Sequence, residues 1–181
     1  MPEHVTSRIA NLQSLIRDVP DFPKEGIVFK DITPLLADPA GLSLAVEYLA
    51  QPFRKVHIDK VVGAESRGFI FGTALAQSLS IGFVPIRKPG KLPCETISED
   101  YELEYGVDSM HIHKNAIKPG EKVLMVDDLL ATGGTIGACC RLVEALGGEI
   151  AGVTFVIELA FLNGRDRIKQ YTVHSLLSYD E

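Results

Sequence analysis

The stretch VLMVDDLLATGGT, residues 123–135, runs an apolar segment, two adjacent carboxylates and a glycine-rich turn together without a break. Val123 to Val126 follow the turn signal Lys118-Pro119-Gly120. An apolar run bounded in this way predicts a strand covered on both faces in a parallel sheet. The run ends at Asp127 and Asp128, and Ala131-Thr132-Gly133-Gly134-Thr135 follows. Ile136, Cys139, Cys140, Leu142, Val143 and Leu146 then recur at helical spacing until Gly147-Gly148 stops them. Strand, loop and helix in that order form the repeating unit of an α/β fold.

Adjacent glycines free the backbone to turn its N–H groups into one concavity. Thr132 and Thr135 add hydroxyls at a helix N-terminus, where partial positive charge collects. A phosphate monoester suits such a pocket. No Lys precedes the hydroxyl residue, so this is not the G-x-x-x-x-G-K-[ST] loop that binds nucleoside triphosphates. Two carboxylates beside a phosphate would repel it unless they face another part of the ligand. That part is either a ribose, whose hydroxyls donate to carboxylates, or a divalent cation. The ligand therefore reads as a sugar phosphate.

With four apolar residues, both acids and the whole of ATGGT in place, the string resembles the phosphoribosyl pyrophosphate (PRPP) motif of type I phosphoribosyltransferases. The resemblance implies that Ala131, Thr132, Gly133, Gly134 and Thr135 bind the 5-phosphate and that Asp127 and Asp128 bind the ribose.

Composition bounds the rest. At 181 residues and 46% hydrophobic, the chain is expected to be one domain, 1–181, with a full core. A net charge of -6 with no basic block argues against nucleic acid or an anionic membrane as partner. No apolar run reaches the roughly 18 residues that span a bilayer, and MPEHVTSR has no signal-peptide core, so a soluble, cytoplasmic protein is expected. Cys94, Cys139 and Cys140 show no metal-ligand spacing and fit reduced thiols, with Cys139 and Cys140 as core filling.

Taken in order, residues 3–18 predict an amphipathic helix bearing Ile9, Leu12, Ile16 and Val19 and closed by Pro20. Residues 21–34 follow neither period and predict a structured surface segment. Their pattern, D-F-P-x-x-G-[IV]-x-F-x-D-[IV]-[ST], resembles the N-terminal segment of adenine phosphoribosyltransferases, a small hood (about 1–35) that closes over the base. A second amphipathic stretch, 41–56, precedes a short buried strand at 59–64. Glu65-Ser66-Arg67-Gly68 stands at its end, before a helix over 69–79, and offers a second anion site. G-A-E-S-R-G-F-[IL]-F-G matches the adenine enzymes, whose corresponding loop holds pyrophosphate and often carries a strained peptide before the serine.

A third strand, 82–86, runs into Arg87-Lys88-Pro89-Gly90-Lys91, three cations in five residues, suited to a polyanion. Residues 94–108 are polar and acidic, with Tyr101 and Tyr105, and predict a lid that keeps water from an oxocarbenium-like centre. R-K-x-G-K-L-P and Y-x-L-E-Y-G match the adenine family, whose mobile loop carries a glutamate, here Glu104, that handles the purine proton. Residues 109–113 predict a strand with His111 and His113 on one face, and no third metal ligand accompanies them. The apolar run 149–159 predicts a strand beside 123–126, and 172–179 an edge strand. Glu65, Arg87, Asp127 and Leu159 then share one crevice at the carboxyl ends of the sheet.

The chain is identified by resemblance as a member of the adenine phosphoribosyltransferases: an α/β type I phosphoribosyltransferase fold, mainly parallel central sheet flanked by helices, with the N-terminal hood. The resemblance implies AMP and pyrophosphate made from adenine and PRPP, with Mg²⁺ held mainly through PRPP and no dedicated protein ligand, in a homodimer. It places Ser66, Arg67, Lys88, Lys91 and Tyr105 on pyrophosphate, Glu104 on the purine proton, and Val28, Phe29, Lys30 and Leu159 on adenine. Lys30 departs from the family pattern, where many relatives carry Arg, and lacks that planar fork. A xanthine or hypoxanthine-guanine enzyme, or a PRPP-sensing regulator, would share the motif at 123–135.

Overall fold

The computed structural model describes residues 3–102 and 106–181. The chain divides into two compact units, Met1–Tyr48 and Leu49–Glu181.

In the first unit, α1 (Glu3–Ser14) ends four residues before the predicted helix does. Val19 precedes Pro20, and a residue before proline is pushed out of the helical region. The chain instead extends as β1 (Arg17–Pro20), antiparallel to β2 (Val28–Asp31), in the register Arg17↔Asp31 and Asp18↔Lys30. Opposite charges therefore face each other at both positions. Segment 21–34 is thus more regular than its composition suggests, since it holds β2 and the start of α2 (Thr33–Ala37). α3 (Pro39–Ala50) follows, and Asp38 accepts a hydrogen bond from the Gly41 N–H at 2.6 Å in its first turn.

The second unit contains β3 (Lys60–Ala64), α4 (Gly68–Leu79), β4 (Gly82–Ile86), β5 (Thr96–Glu102), β6 (Val107–His113), β7 (Lys122–Leu130), α5 (Gly134–Ala145), β8 (Glu149–Leu159) and β9 (Val173–Tyr179). Five strands form one sheet in the order β4-β3-β7-β8-β9, each parallel to its neighbour. The order turns back between β3 and β7: β4 lies outward on one side, and β8 then β9 on the other. Ligands of such sheets bind at the carboxyl ends of the strands flanking that reversal.

Val123 to Val126 are fully buried at the centre of the sheet, each contributing roughly 1.5–3 kcal/mol over an exposed position. Ile136, Cys139, Leu142 and Val143 of α5 share a core with Val62, Met125, Val153 and Phe155 on one sheet face. α4 covers the opposite face, where a Cβ on Gly63 would lie 3.2 Å from the Gly68 carbonyl. Cys139 and Cys140 are buried, as core filling requires.

Within the segment 94–108 expected as a lid, residues 96–102 and 107–108 are paired strand. β5 and β6 pair antiparallel, so Ile97, Tyr101, Met110 and Ile112 face the core while Ser98, Asp100, Ser109 and His111 face away. Acidic side chains between the apolar ones hide this alternation in the sequence. Two backbone hydrogen bonds between Arg87 and His111 fasten the hairpin to the end of β4. Among the described residues, no helix is long and apolar enough to cross a membrane.

Candidate active site

β7 does not end at the two aspartates, as its apolar pattern suggests. It runs through them to Leu130, because Asp127, Leu129 and Leu130 stay in register with Phe155, Ile157 and Glu158 of β8. The two carboxylates consequently occupy different surroundings. Asp127 lines a pocket of about 90 Å³ with Leu129 and residues 131–136. Asp128 is buried beside Arg67, whose Nη2 lies 2.8 Å from Oδ2, off the hydrogen-bonding direction and hence an ion pair.

Burial raises the pKa of Asp127 well above the usual carboxylate range, and the negative charge of Asp128 pushes it further. Burial raises Asp128 as well, against the pull of Arg67.

The pocket's floor is backbone. Gly133 sits at φ 80°, the left-handed conformation that glycine takes without cost, and Gly134 opens α5 directly after it. Of the two adjacent glycines only Gly133 uses positive φ. Gly134 is buried, and its N–H belongs to the first turn of α5, which leaves it without an intrahelical partner. Thr132 is exposed and Thr135 half-buried at the same opening.

Neighbouring strand ends close around this loop. A Cβ on Gly68 would stand 2.6 Å from Asp127 Oδ1, so the loop after β3 reaches the carboxylate only because residue 68 is glycine. Asp127 Oδ1 also accepts from the Asp128 N–H at 2.9 Å. The peptide before Ser66 is cis. Glu65 Oε2 accepts from Arg87 Nε at 3.1 Å and from the Lys88 N–H at 2.9 Å, tying the ends of β3 and β4 together.

The predicted cations meet different fates. Arg67 is part-exposed beside Asp128, and Lys91 is exposed. Lys88 donates from Nζ to Asp108 Oδ2 and to Tyr101 Oη. Burial pulls the Lys88 pKa down, but these two partners outweigh it and raise the value. Glu104 and Tyr105 lie outside the described residues. Leu159 is half-buried at the end of β8, beside Tyr179.

In the first unit, Val19, Phe22, Phe29 and Asp31 line a hollow of about 260 Å³, and the rings of Phe22 and Phe29 meet edge to face at 5.2 Å. Val28 is 49% exposed. The Lys30 side chain is buried, with Nζ 2.8 Å from Asp18 Oδ1. Asp31 Oδ2 accepts from Arg17 Nη2 at 2.5 Å, and the Thr33 N–H leads the contacts that lower its pKa.

Several of these residues were missed as site residues. Glu65 had a signal, an acid directly after a buried strand with three cations downstream. Asp108 and Tyr101 had none, since their meeting with Lys88 depends on hairpin register. Among the described residues no group of three His, Cys, Asp or Glu side chains stands ready to hold a metal ion, and His111 and His113 gain no third partner.

Residues 31–177, which carry the parallel sheet, the glycine-turned pocket and the acid pair beside the sheet's reversal, match the phosphoribosyl transferase domain family. The adenine phosphoribosyltransferase of Koribacter versatilis is 56% identical over 171 residues, 94% of each chain. The crystal structure of the adenine phosphoribosyltransferase of Thermoanaerobacter pseudethanolicus superposes with a TM-score of 0.92 at 50% identity, covering 94% of this chain and 99% of that one. That of Saccharomyces cerevisiae, complexed with adenine and an imino-altritol bisphosphate, gives 0.90 at 43% identity over 95% and 99%. The chain belongs to the adenine phosphoribosyltransferase family.

Proposed function

We propose that the chain transfers the 5-phosphoribosyl group of PRPP to N9 of adenine, giving AMP and pyrophosphate in purine salvage. The observation that carries this is the pocket that Asp127 and residues 131–136 make after β7, in a chain 56% identical to an adenine phosphoribosyltransferase along nearly its whole length.

The backbone N–H groups at Gly133 and Gly134, with the hydroxyls of Thr132 and Thr135 and the backbone of Ala131, hold the 5-phosphate at the start of α5. Asp127 takes the ribose hydroxyls, with Asp128 beside it holding Arg67 in place. Ser66, Arg67, Lys88, Lys91 and Tyr105 receive the pyrophosphate, whose charge grows as its bond to C1 breaks. Mg²⁺ would be held mainly through PRPP, with no dedicated protein ligand, and would add to the neutralisation of the leaving group that Arg67, Lys88 and Lys91 provide.

C1 gains positive character as pyrophosphate departs, and N9 attacks from the opposite face. Glu104 relays the purine proton. Val28, Phe29, Lys30 and Leu159 bind adenine. In support, Phe29 lines a hollow with Val19, Phe22 and Asp31, and Asp18 engages the Lys30 ammonium group, which leaves the backbone of Lys30 for the base. Residues 1–181 act as one cytoplasmic transferase domain, as length and composition suggest, in a homodimer, as the family resemblance implies.

Purified protein given PRPP, Mg²⁺ and adenine is expected to form AMP and pyrophosphate in equal amounts. No nucleotide with any purine would favour a PRPP-sensing regulator instead.

A further inference from the structure

Lys88 stands at the end of β4, where the proposed function gives it the departing pyrophosphate. Two of its partners already belong to the protein. Nζ donates to Asp108 Oδ2 in an ion pair and to Tyr101 Oη at 3.0 Å, and the Tyr101 O–H donates to the same Asp108 Oδ2 at 3.2 Å. The three groups close a triangle. An ammonium has three N–H donors, so one is left for a ligand, and a carboxylate stands beside it to repel any polyanion.

The triangle has a fixed side and a looser one. Tyr101 is only 6% exposed, and its ring lies 5.6 Å from Nζ. Asp108 faces Tyr101 across the β5–β6 register and is half-buried; its Oδ1 accepts from the Ser109 N–H at 2.8 Å, leaving Oδ2 to Lys88. Glu65, the other carboxylate near the end of β4, is not a rival for Nζ, because it already accepts from Arg87 Nε and the Lys88 N–H.

We propose that Asp108 is a positioning residue that competes with pyrophosphate for the Lys88 ammonium. Without ligand it holds Nζ against Tyr101. The pyrophosphate end of PRPP takes Nζ over from it, and Tyr101 stays as the partner common to both arrangements. The inference rests on the pyrophosphate role assigned to Lys88. It has a direction that damage to a binding residue lacks: removing the Asp108 carboxylate tightens pyrophosphate binding.

Calorimetric titration of inorganic pyrophosphate with Mg²⁺ into the full chain tests this. Asp108→Asn and Asp108→Ser are measured beside Lys88→Ala, the double variant Lys88→Ala/Asp108→Asn, and Asp100→Asn, which removes the same charge from the opposite face of β5. Either Asp108 variant is expected to bind pyrophosphate roughly two- to fivefold more tightly, the range of a partly exposed ion pair. Asp100→Asn should leave affinity unchanged, and Asp108→Asn should add nothing once Lys88 is gone. Unchanged affinity in a folded Asp108 variant, or tightening that survives the loss of Lys88, overturns the competition. AMP formation by the wild-type protein from PRPP, Mg²⁺ and adenine reads the activity separately. Tightening without AMP would overturn the transferase and leave the competition standing, whereas AMP without tightening would overturn the competition alone.

Discussion

Gly133 and Gly164 meet backbone to backbone. A Cβ on Gly133 would collide with the carbonyl oxygen of Gly164, and a Cβ on Gly164 with that of Ala131. The turn after β8 thereby packs against the glycine loop after β7, and the two strands that lie side by side in the sheet also share their exits.

Gly133→Ala adds this collision to a left-handed φ that alone costs about 1–2 kcal/mol, so the loss of stability should exceed that, with PRPP affinity falling about tenfold or more. Gly164→Ala is expected to weaken PRPP through the collision alone. Thermal melts and PRPP titrations check both. A folded Gly133→Ala protein with unchanged PRPP affinity would remove this loop from the phosphate site.

Glu104→Gln should lower kcat by about 10²-fold or more while PRPP still binds, because only the proton relay is lost. Single-turnover rates with adenine, set beside PRPP titrations, separate the two effects. An unchanged rate would take Glu104 out of the chemistry.

Glu158 and Arg165 make a bidentate pair at 2.5 and 2.6 Å that braces the turn holding Gly164. Hydrogen bonding to Arg165 lowers the Glu158 pKa below its ordinary 4.5, so the folded chain binds that proton less readily than the unfolded one. The pair therefore stabilises the fold above the ordinary value, and that contribution is lost as pH falls through the depressed one. Glu158→Gln is expected to lose about 1–2 kcal/mol at neutral pH, at the lower end for a charge-assisted pair because Arg165 is half exposed. Denaturant melts should show the difference from wild type shrinking at acid pH. A difference that holds constant across that range would mean the pair does not act through its charge.

Much of this architecture is legible in the residues themselves. The apolar run at 123–126 marks a central parallel strand because only full burial on two faces supports it, and the string 127–135 marks the pocket because acids, hydroxyls and glycines follow one another locally. The extension of β7 through Asp127 and Asp128 escapes such reading, since a polar residue at a strand's end pairs its backbone as well as an apolar one does. β1 and β5 escape it too, as their partners are set by register and by ion pairs such as Arg17–Asp31 and Glu99–Arg141, whereas 109–113 of β6 is legible as a strand. The engagement of Lys88 by Asp108 and of Lys30 by Asp18 is invisible for the same reason: a charge run shows where cations stand and says nothing of which neighbour holds them.

Base choice is the account's central claim, and a competition assay tests it most directly. The protein is given PRPP, Mg²⁺ and equal concentrations of adenine, hypoxanthine, guanine and xanthine, and the nucleotides formed are separated and quantified. AMP is expected as the product. IMP, GMP or XMP formed in its place, or no nucleotide from any base, would contradict the account.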